Sequence, residues 1–409
     1  MTRLPFGEPD TSLGIAVAMN ARNLLTALSP LAVTLASCGS AATGENTGGK
    51  PFAAETFAQF DEPWAMAFDE GTGTLFVTER KGAIRFMTPD RKIGEVSGVP
   101  KVDYGGQGGL GDILFAPGQK SAKLDRRTVY ISWVEAGSGD TRGAVVGKAD
   151  LVCPAPLKCQ LDGLKVIWRQ QPKVTGRGHF SHRLAFSPDG KYLFVSSGER
   201  QKFTPAQDIK VNLGKIVRLL PDGTPAPGNP FADKPSPTNQ IWSYGHRNVL
   251  GLAFDEQGRL WDLEHGPAGG DELNLVKPGT NYGWPLVSDG DHYDGKPIPR
   301  NSTRPDLAAP AISWNPVIAP GDFIFYTGDK FPAWKGQALI TGLVATGLVR
   351  VSINGEKATE EARYPMDNRI RDISQGPDGT IWLIEDGEGS DSGHLLHLTP
   401  AATNAKSAN

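Results

Sequence analysis

The feature that most constrains the fold is a recurrent hairpin: an apolar run, a tight turn built on Asp-Gly or Gly, and a second run rich in branched and aromatic residues. "AMAFDEGTGTLFVTE", "RLAFSPDGKYLFVSS", "GLAFDEQGRLWDLE" and "DISQGPDGTIWLIED" follow it closely. "DILFAPG...RTVYISWVE" and "GQALITGLVATGLVRVSING" are less regular copies. About six units at roughly 40- to 70-residue spacing make an all-β, six-bladed β-propeller the expected fold class. Turns spaced regularly over the whole chain argue against a pair of β-sandwiches. The 409 residues exceed the usual single domain, yet closed all-β architectures reach this length as one unit. One propeller domain is therefore expected over 52–400.

In such an architecture the strand interiors are scaffold, and the loops at strand ends crowd the mouth of a central channel. Polar residues flanking apolar strands are thus candidates for a site. Lys and Arg total 42 against 45 Asp and Glu, a net charge of −3 spread along the chain. No basic stripe exists to neutralise a phosphate backbone, which excludes nucleic acid as a partner.

The start "MNARNLLTALSPLAVTLASCGS" has a short basic beginning at Arg22 and an apolar run too short to span a bilayer. Residues 1–37 read as a signal peptide, with Met19 an alternative start. The ending Leu35-Ala36-Ser37-Cys38 resembles the lipobox of bacterial lipoproteins, in which Cys38 would be acylated; an ordinary cleaved signal with a chance cysteine is the other reading. An exported, periplasmic protein is expected, with membrane attachment only through that lipid. Residues 38–51 suit a flexible tether and 401–409 a disordered tail. Cys153 and Cys159 bracket "PAPLK", and in an exported protein two such thiols read as a small-loop disulfide.

His179 stands in "GRGHFSHRLAFSPDG" directly before a hairpin, with His182 and Arg183 beside it. A neutral imidazole near pH 7 suits a general base. Arg369 and Arg371 in "DNRIRDIS" are two apart, so on a strand both face one side. Two guanidinium groups there, with Arg247 and Asn248 in "SYGHRNVLGLAF", would satisfy a ligand carrying several carboxylates. The alternative is pairing of each Arg with Asp367 or Asp372 on a solvated surface. "HGPAGGDELN" is a Gly-rich turn whose carbonyls could converge on a hard cation such as calcium. "GGQGGLGD" around Gln107 lacks the glycine spacing and following helix of a dinucleotide fingerprint.

Together, "GGQGGLGD", "GHFSHRL", "SYGHRNVLGLAF", "EHGPAGGDELN", "NYGWP" and "NRIRD" resemble, in order, the soluble aldose sugar dehydrogenases of the glucose/sorbosone dehydrogenase family. The resemblance implies a six-bladed propeller that uses pyrroloquinoline quinone (PQQ) and calcium to oxidise aldoses at C1 to lactones. Hydride would pass to the quinone, and electrons to an external acceptor. It implies that His179 is the base, that Arg247 stabilises charge on the quinone oxygen, and that Gln107 lines the substrate site. Asn248, Arg369 and Arg371 would hold the cofactor, and the Gly266 and Pro267 main-chain carbonyls the calcium. Asp271, Glu272 and Tyr282 fall where some relatives have a second, structural calcium site.

The chain departs from the glucose-oxidising relatives at three places. Gly178 stands where they carry an acid, Val344 where they carry a cofactor-contacting lysine, and His182 where they carry a small residue. These departures favour the broader aldose-oxidising branch. A monomer or homodimer is expected. Two other functions fit a propeller: a calcium-dependent lactonase-type hydrolase, and a non-catalytic carbohydrate-binding module.

Overall fold

The computed structural model describes residues 49–387 and 393–401. The signal peptide, Cys38, the tether up to Gly48 and the tail from 402 onward lie outside the described residues. Among those described are twenty-four strands and four single-turn 3₁₀ helices, so the chain is all-β as expected.

Each regular hairpin provides the first two strands of a four-stranded antiparallel unit. Ser181–Phe186 and Leu193–Ser197 are followed by Lys215–Leu219 and Ile241–Tyr244; Val249–Phe254 and Leu260–Glu264 by Asp271–Leu275 and Ile312–Trp314. Pro320–Phe325, Ala338–Gly342, Gly347–Asn354 and Lys357–Pro365 form another sheet. Ile370–Gln375, Ile381–Glu385 and His394–Pro400 are completed by the first strand, Phe52–Gln59, which joins the two ends of the folded body. The remaining eight strands form one sheet. Within it, Pro63–Asp69 to Ile93–Ser97 is joined to Leu110–Phe115 to Lys158–Arg169 by a short parallel pairing of Ile93–Ser97 with Lys158–Arg169. The disulfide Cys153–Cys159 closes the hairpin between Arg142–Ala155 and Lys158–Arg169, as the spacing suggests.

Five second strands, Thr74–Glu79, Leu193–Ser197, Leu260–Glu264, Ala338–Gly342 and Ile381–Glu385, are buried along their whole length. Sheets pack against both of their faces, so apolar residues stand side by side in them, as in Leu75-Phe76-Val77 and Leu193-Phe194-Val195, instead of alternating with exposed polar ones. Each large side chain buried in this way contributes about 1.5–3 kcal/mol.

The first strands line a ring. Pro63–Asp69 packs on Leu110–Phe115, that strand on Ser181–Phe186, then Val249–Phe254, Pro320–Phe325 and Ile370–Gln375, which returns to Pro63–Asp69. All six share one irregularity: the register against the second strand slips near the N-terminal end. A bulge bends a strand and re-aims its side chains. The residues inside these slips include Trp64, Gly111, His182, Leu250 and Arg371, and each of them except Gly111 lines the cavity described next, with the His182 ring lying over Gly111.

Candidate active site

At the N-terminal ends of the inner strands lies a cavity of about 220 Å³, lined by Trp64, Arg80, Gln107, His182, Asn248, His265, Arg369 and Arg371 among others. Positive-φ backbone is concentrated beside it. Among the described residues twelve non-glycines have positive φ, and six of these fall in two touching segments: His179, Ser181 and His182, and Arg200, Gln201 and Phe203. Such conformations cost on the order of 1–3 kcal/mol each and persist where surrounding contacts over-determine them.

Glu199 supplies those contacts. One carboxylate oxygen bonds Nδ1 of His179, and the other accepts from the backbone N–H of Lys202 and, at 2.6 Å, of Phe203. Burial lowers the His179 pKa below its ordinary value, and the opposing pull of Glu199 does not overcome it. The ring is therefore neutral at pH 7, with Nδ1–H donating to Glu199 and the Nε2 lone pair left to accept a proton. Burial opposes ionisation of Glu199, yet the hydrogen bond from His179 holds its carboxyl below the usual range. The Gln107 amide oxygen accepts from the His179 backbone N–H at 2.7 Å, which leaves its NH₂ for a ligand. The glycines beside Gln107 permit close approach, since a Cβ at Gly106 would stand 2.7 Å from the Arg177 carbonyl oxygen.

Arg247 enters from the next inner strand. Its Nη1 donates to the His265 carbonyl at 3.1 Å and its Nη2 to the Tyr293 hydroxyl at 3.2 Å, while Nε is buried with no partner. A buried donor without an acceptor is costly, so Nε marks a position where a ligand oxygen would be stabilising. Arg247 also lines an adjoining cavity of about 340 Å³ with Phe203, Trp284 and Tyr293. The Asn248 side-chain oxygen accepts from Ser181 Oγ at 3.2 Å, which leaves its NH₂ for the cavity.

Arg369 and Arg371 do face the same side, but their acid is neither Asp367 nor Asp372. Asp386, one residue past the neighbouring strand, takes Arg369 Nε at 2.9 Å on one oxygen and Arg371 Nη2 at 3.0 Å on the other. Both guanidinium groups line the cavity and share this carboxylate. His265 donates from Nε2 to the Pro320 carbonyl at 2.6 Å, and burial depresses its pKa to about 3.

The residues fit a calcium-bound polycarboxylate quinone on three counts: an orphaned Arg247 donor, three guanidinium groups lining the cavity, and unclaimed carbonyls. The Gly266 and Pro267 carbonyls accept no hydrogen bond among the described residues. Gly266 is required there, because a Cβ would lie 2.2 Å from the carbonyl oxygens of both Gly269 and Gly270. Asp271 holds this turn: one oxygen accepts from Gly266 N–H at 2.8 Å, the other from Ile318 and Ala319 N–H at 2.8 and 2.7 Å. Its carboxylate is thereby committed to the backbone. Glu272 instead joins a buried acidic group. It accepts from Asn301 at 3.0 Å and from Asn274, and burial pushes its pKa up to about 8. Asn274 also contacts Asp262 and Glu264, and these two with His246 have ligand atoms within 4.8 Å of one another. The Tyr282 ring stacks on His246 at 4.7 Å.

At the departures, Gln201 fills the space beside Gly178, where an added Cβ would meet its side chain at 2.5 Å. Val344 is 54% exposed, next to the cavity-lining Leu343. Sequence reasoning did not single out Glu199 or Asp386. A signal was present: Glu79, Glu199, Glu264, Glu385 and Asp386 all lie at or just beyond the end of a hairpin's second strand, and all are buried.

The sequence profile of the glucose/sorbosone dehydrogenase family matches residues 60–397. The aldose sugar dehydrogenase YliI of Escherichia coli is 36% identical over 351 residues, 84% of this chain and 91% of that protein. The crystal structure of the soluble aldose sugar dehydrogenase from Escherichia coli in its apo-form matches with a TM-score of 0.78 at 35% identity, covering 86% of this chain and all of that one (100%). The PQQ-bound form of the aldose sugar dehydrogenase from Streptomyces coelicolor matches with a TM-score of 0.67 at 26% identity, covering 86% and 99%.

Proposed function

Because the chain belongs to the glucose/sorbosone dehydrogenase family and is an oxidoreductase acting on the CH–OH group of sugars, we propose that it oxidises aldoses at C1 to lactones, with PQQ and calcium. The same reading takes the fold as a six-bladed propeller, with the eight-stranded sheet counted as two blades; the closed ring of six inner strands supports it. The observation that carries the chemistry is the His179–Glu199 pair beside the unpartnered Arg247 Nε.

Bound PQQ supplies the two-electron acceptor, and the reduced enzyme passes electrons to an external acceptor. His179 Nε2 takes the proton of the C1 hydroxyl, and Glu199 keeps Nδ1 protonated so that the free lone pair points away from it. Arg247 Nε donates to an oxygen on which negative charge develops, an interaction strengthened by its burial. Gln107 orients the sugar through its free NH₂. Asn248, Arg369 and Arg371 hold the cofactor carboxylates, and the Gly266 and Pro267 carbonyls hold calcium. Glu272 and Tyr282 remain the residues for a second calcium, whereas Asp271 acts through the turn it fixes. The Cys153–Cys159 disulfide suits an oxidising compartment outside the cytoplasm, as export would require.

Dye-linked oxidation of a panel of aldoses by apo-protein, with and without PQQ and calcium, tests this. Turnover that needs both additions is expected. Aldose oxidation without PQQ, or folded protein inert to all sugars with both present, overturns it.

A further inference from the structure

At the floor of the cavity the His182 ring stacks on Trp64, with centroids 5.1 Å apart and planes 15° from parallel. It lies over Gly111, where an added Cβ would stand 2.0 Å from Cε1 and 2.2 Å from Nδ1. Ring and glycine are therefore matched, since any side chain at 111 would displace the imidazole. Behind the ring, Nδ1 is 2.8 Å from Ser132 Oγ. Ser132 Oγ also accepts the Asp112 backbone N–H at 2.8 Å, and its one hydroxyl proton has no other acceptor among the described residues, so the arrangement that satisfies it is donation to Nδ1. With Nδ1 accepting, the proton of the neutral ring sits on Nε2. Burial keeps the ring neutral, pressing its pKa down to about 3.

Nε2 makes no hydrogen bond among the described residues, and it is not among the buried atoms sealed from solvent. His182 lines the cavity, so this donor opens into it. Buried donors are nearly always satisfied, and one left open toward a cavity awaits an acceptor. The other strong donors there, Arg80, Arg369 and Arg371, are cations suited to carboxylates. An uncharged donor suits a ring nitrogen or a carbonyl oxygen.

We propose that His182 is a cofactor-contacting residue whose Nε2–H donates to an uncharged acceptor atom of the bound quinone, with Ser132 as the positioning residue that sets its tautomer. The inference rests on the PQQ reading above. It is tested by calorimetric titration of PQQ into apo-protein, by the visible spectrum of the bound cofactor, and by nitrogen NMR of the histidine rings. His182→Ala should weaken PQQ binding about tenfold, as loss of one buried hydrogen bond does, and should shift the cofactor absorption band. His182→Gln, which keeps an N–H donor, should recover most of the affinity. Ser132→Ala should move the His182 nitrogen signals away from the Nε2–H tautomer and weaken binding by a smaller factor. If His182→Ala does not fold, Ser132→Ala and the wild-type NMR decide the matter. Unchanged PQQ affinity in a folded His182→Ala, or an unprotonated Nε2 in the wild-type apo-protein, overturns the proposal. Wild-type protein that binds no PQQ overturns the parent reading and this one with it.

Discussion

Two arginines from neighbouring inner strands, Arg183 and Arg247, are equally buried at 4% and 5% exposure, and they differ in how they are satisfied. Arg183 lies deep in the channel with each nitrogen facing oxygen. Nε donates to the Leu250 carbonyl at 2.7 Å, Nη2 reaches Asp372 at 2.8 Å and the Gly321 carbonyl at 3.2 Å, and Nη1 is 3.6 Å from Asp112. Burial works against its charge, but Asp322, Asp372 and Asp112 together hold its pKa above the ordinary value. Arg247, at the mouth, keeps one nitrogen without a partner. The difference separates scaffold from site. A buried charge whose partners close around it holds the ring together, and one left incomplete beside a cavity is where the proposed ligand would supply the missing partner.

The sharpest way to break that comparison is at the mouth. His179→Ala should lower kcat by about 10²–10⁴-fold, the usual share of a positioned general base, while PQQ still binds by titration. Turnover near the wild-type rate would remove His179 from its role. Because the His179 pKa lies below 6.5 and the base must be unprotonated, kcat/KM should stay flat above pH 6.5 and fall only on the acid side of it. A profile rising through pH 7 to 8 would contradict the neutral ring.

In the channel the expected effect is on stability. Arg183→Leu strands three carboxylates and should cost about 3–5 kcal/mol, read as a large fall in Tm. The smaller counterpart is Asp322→Asn. Three acids compete for one guanidinium, and burial pushes Asp112 up to about 6 and Asp322 higher than its ordinary value. The folded state thus binds these protons more tightly than the unfolded chain, so these acids favour folding fully below about pH 4 and the advantage is lost as pH rises through their raised values, about 6 for Asp112. Removing one acid should therefore raise stability by about 1 kcal/mol at pH 8, with little change at pH 4. A destabilised Asp322→Asn at pH 8 would show that all three acids are needed to hold Arg183.

The same contrast explains what was legible in the sequence. The hairpins were, because Asp-Gly turns and branched runs are local signals. Arg126–Ala136, Arg142–Ala155 and Lys158–Arg169 obscured one unit by their length, and their parallel link to Ile93–Ser97 has no local signature. His179, Arg247 and Asn248 stood out through their place at strand starts. The acids that hold His179 and the Arg369–Arg371 pair did not: Glu199 and Asp386 lie 20 and 15 to 17 residues away along the chain from the residues they hold, and antiparallel pairing brings them together. His182 was visible as a neighbour of His179 and as a departure from the family pattern, but its role was not, since that depends on Gly111 and Ser132 from another inner strand and its partner.

The smallest expected effect lies on the rim, between the two regimes. Val344 is exposed, its backbone N–H donating to the Ile318 carbonyl at 3.0 Å, and a lysine there would reach from solvent toward a cavity already lined by three arginines. An exposed ion pair contributes about 0.2–1 kcal/mol, so Val344→Lys should tighten PQQ binding no more than about fivefold, and high salt should erase the gain. Calorimetric titration at two ionic strengths checks it. A larger, salt-resistant gain would mean that the cofactor carboxylates are not saturated by Arg369 and Arg371, and that Val344 is the missing part of the site. A loss of affinity would mean that the mouth already holds all the positive charge its ligand can use.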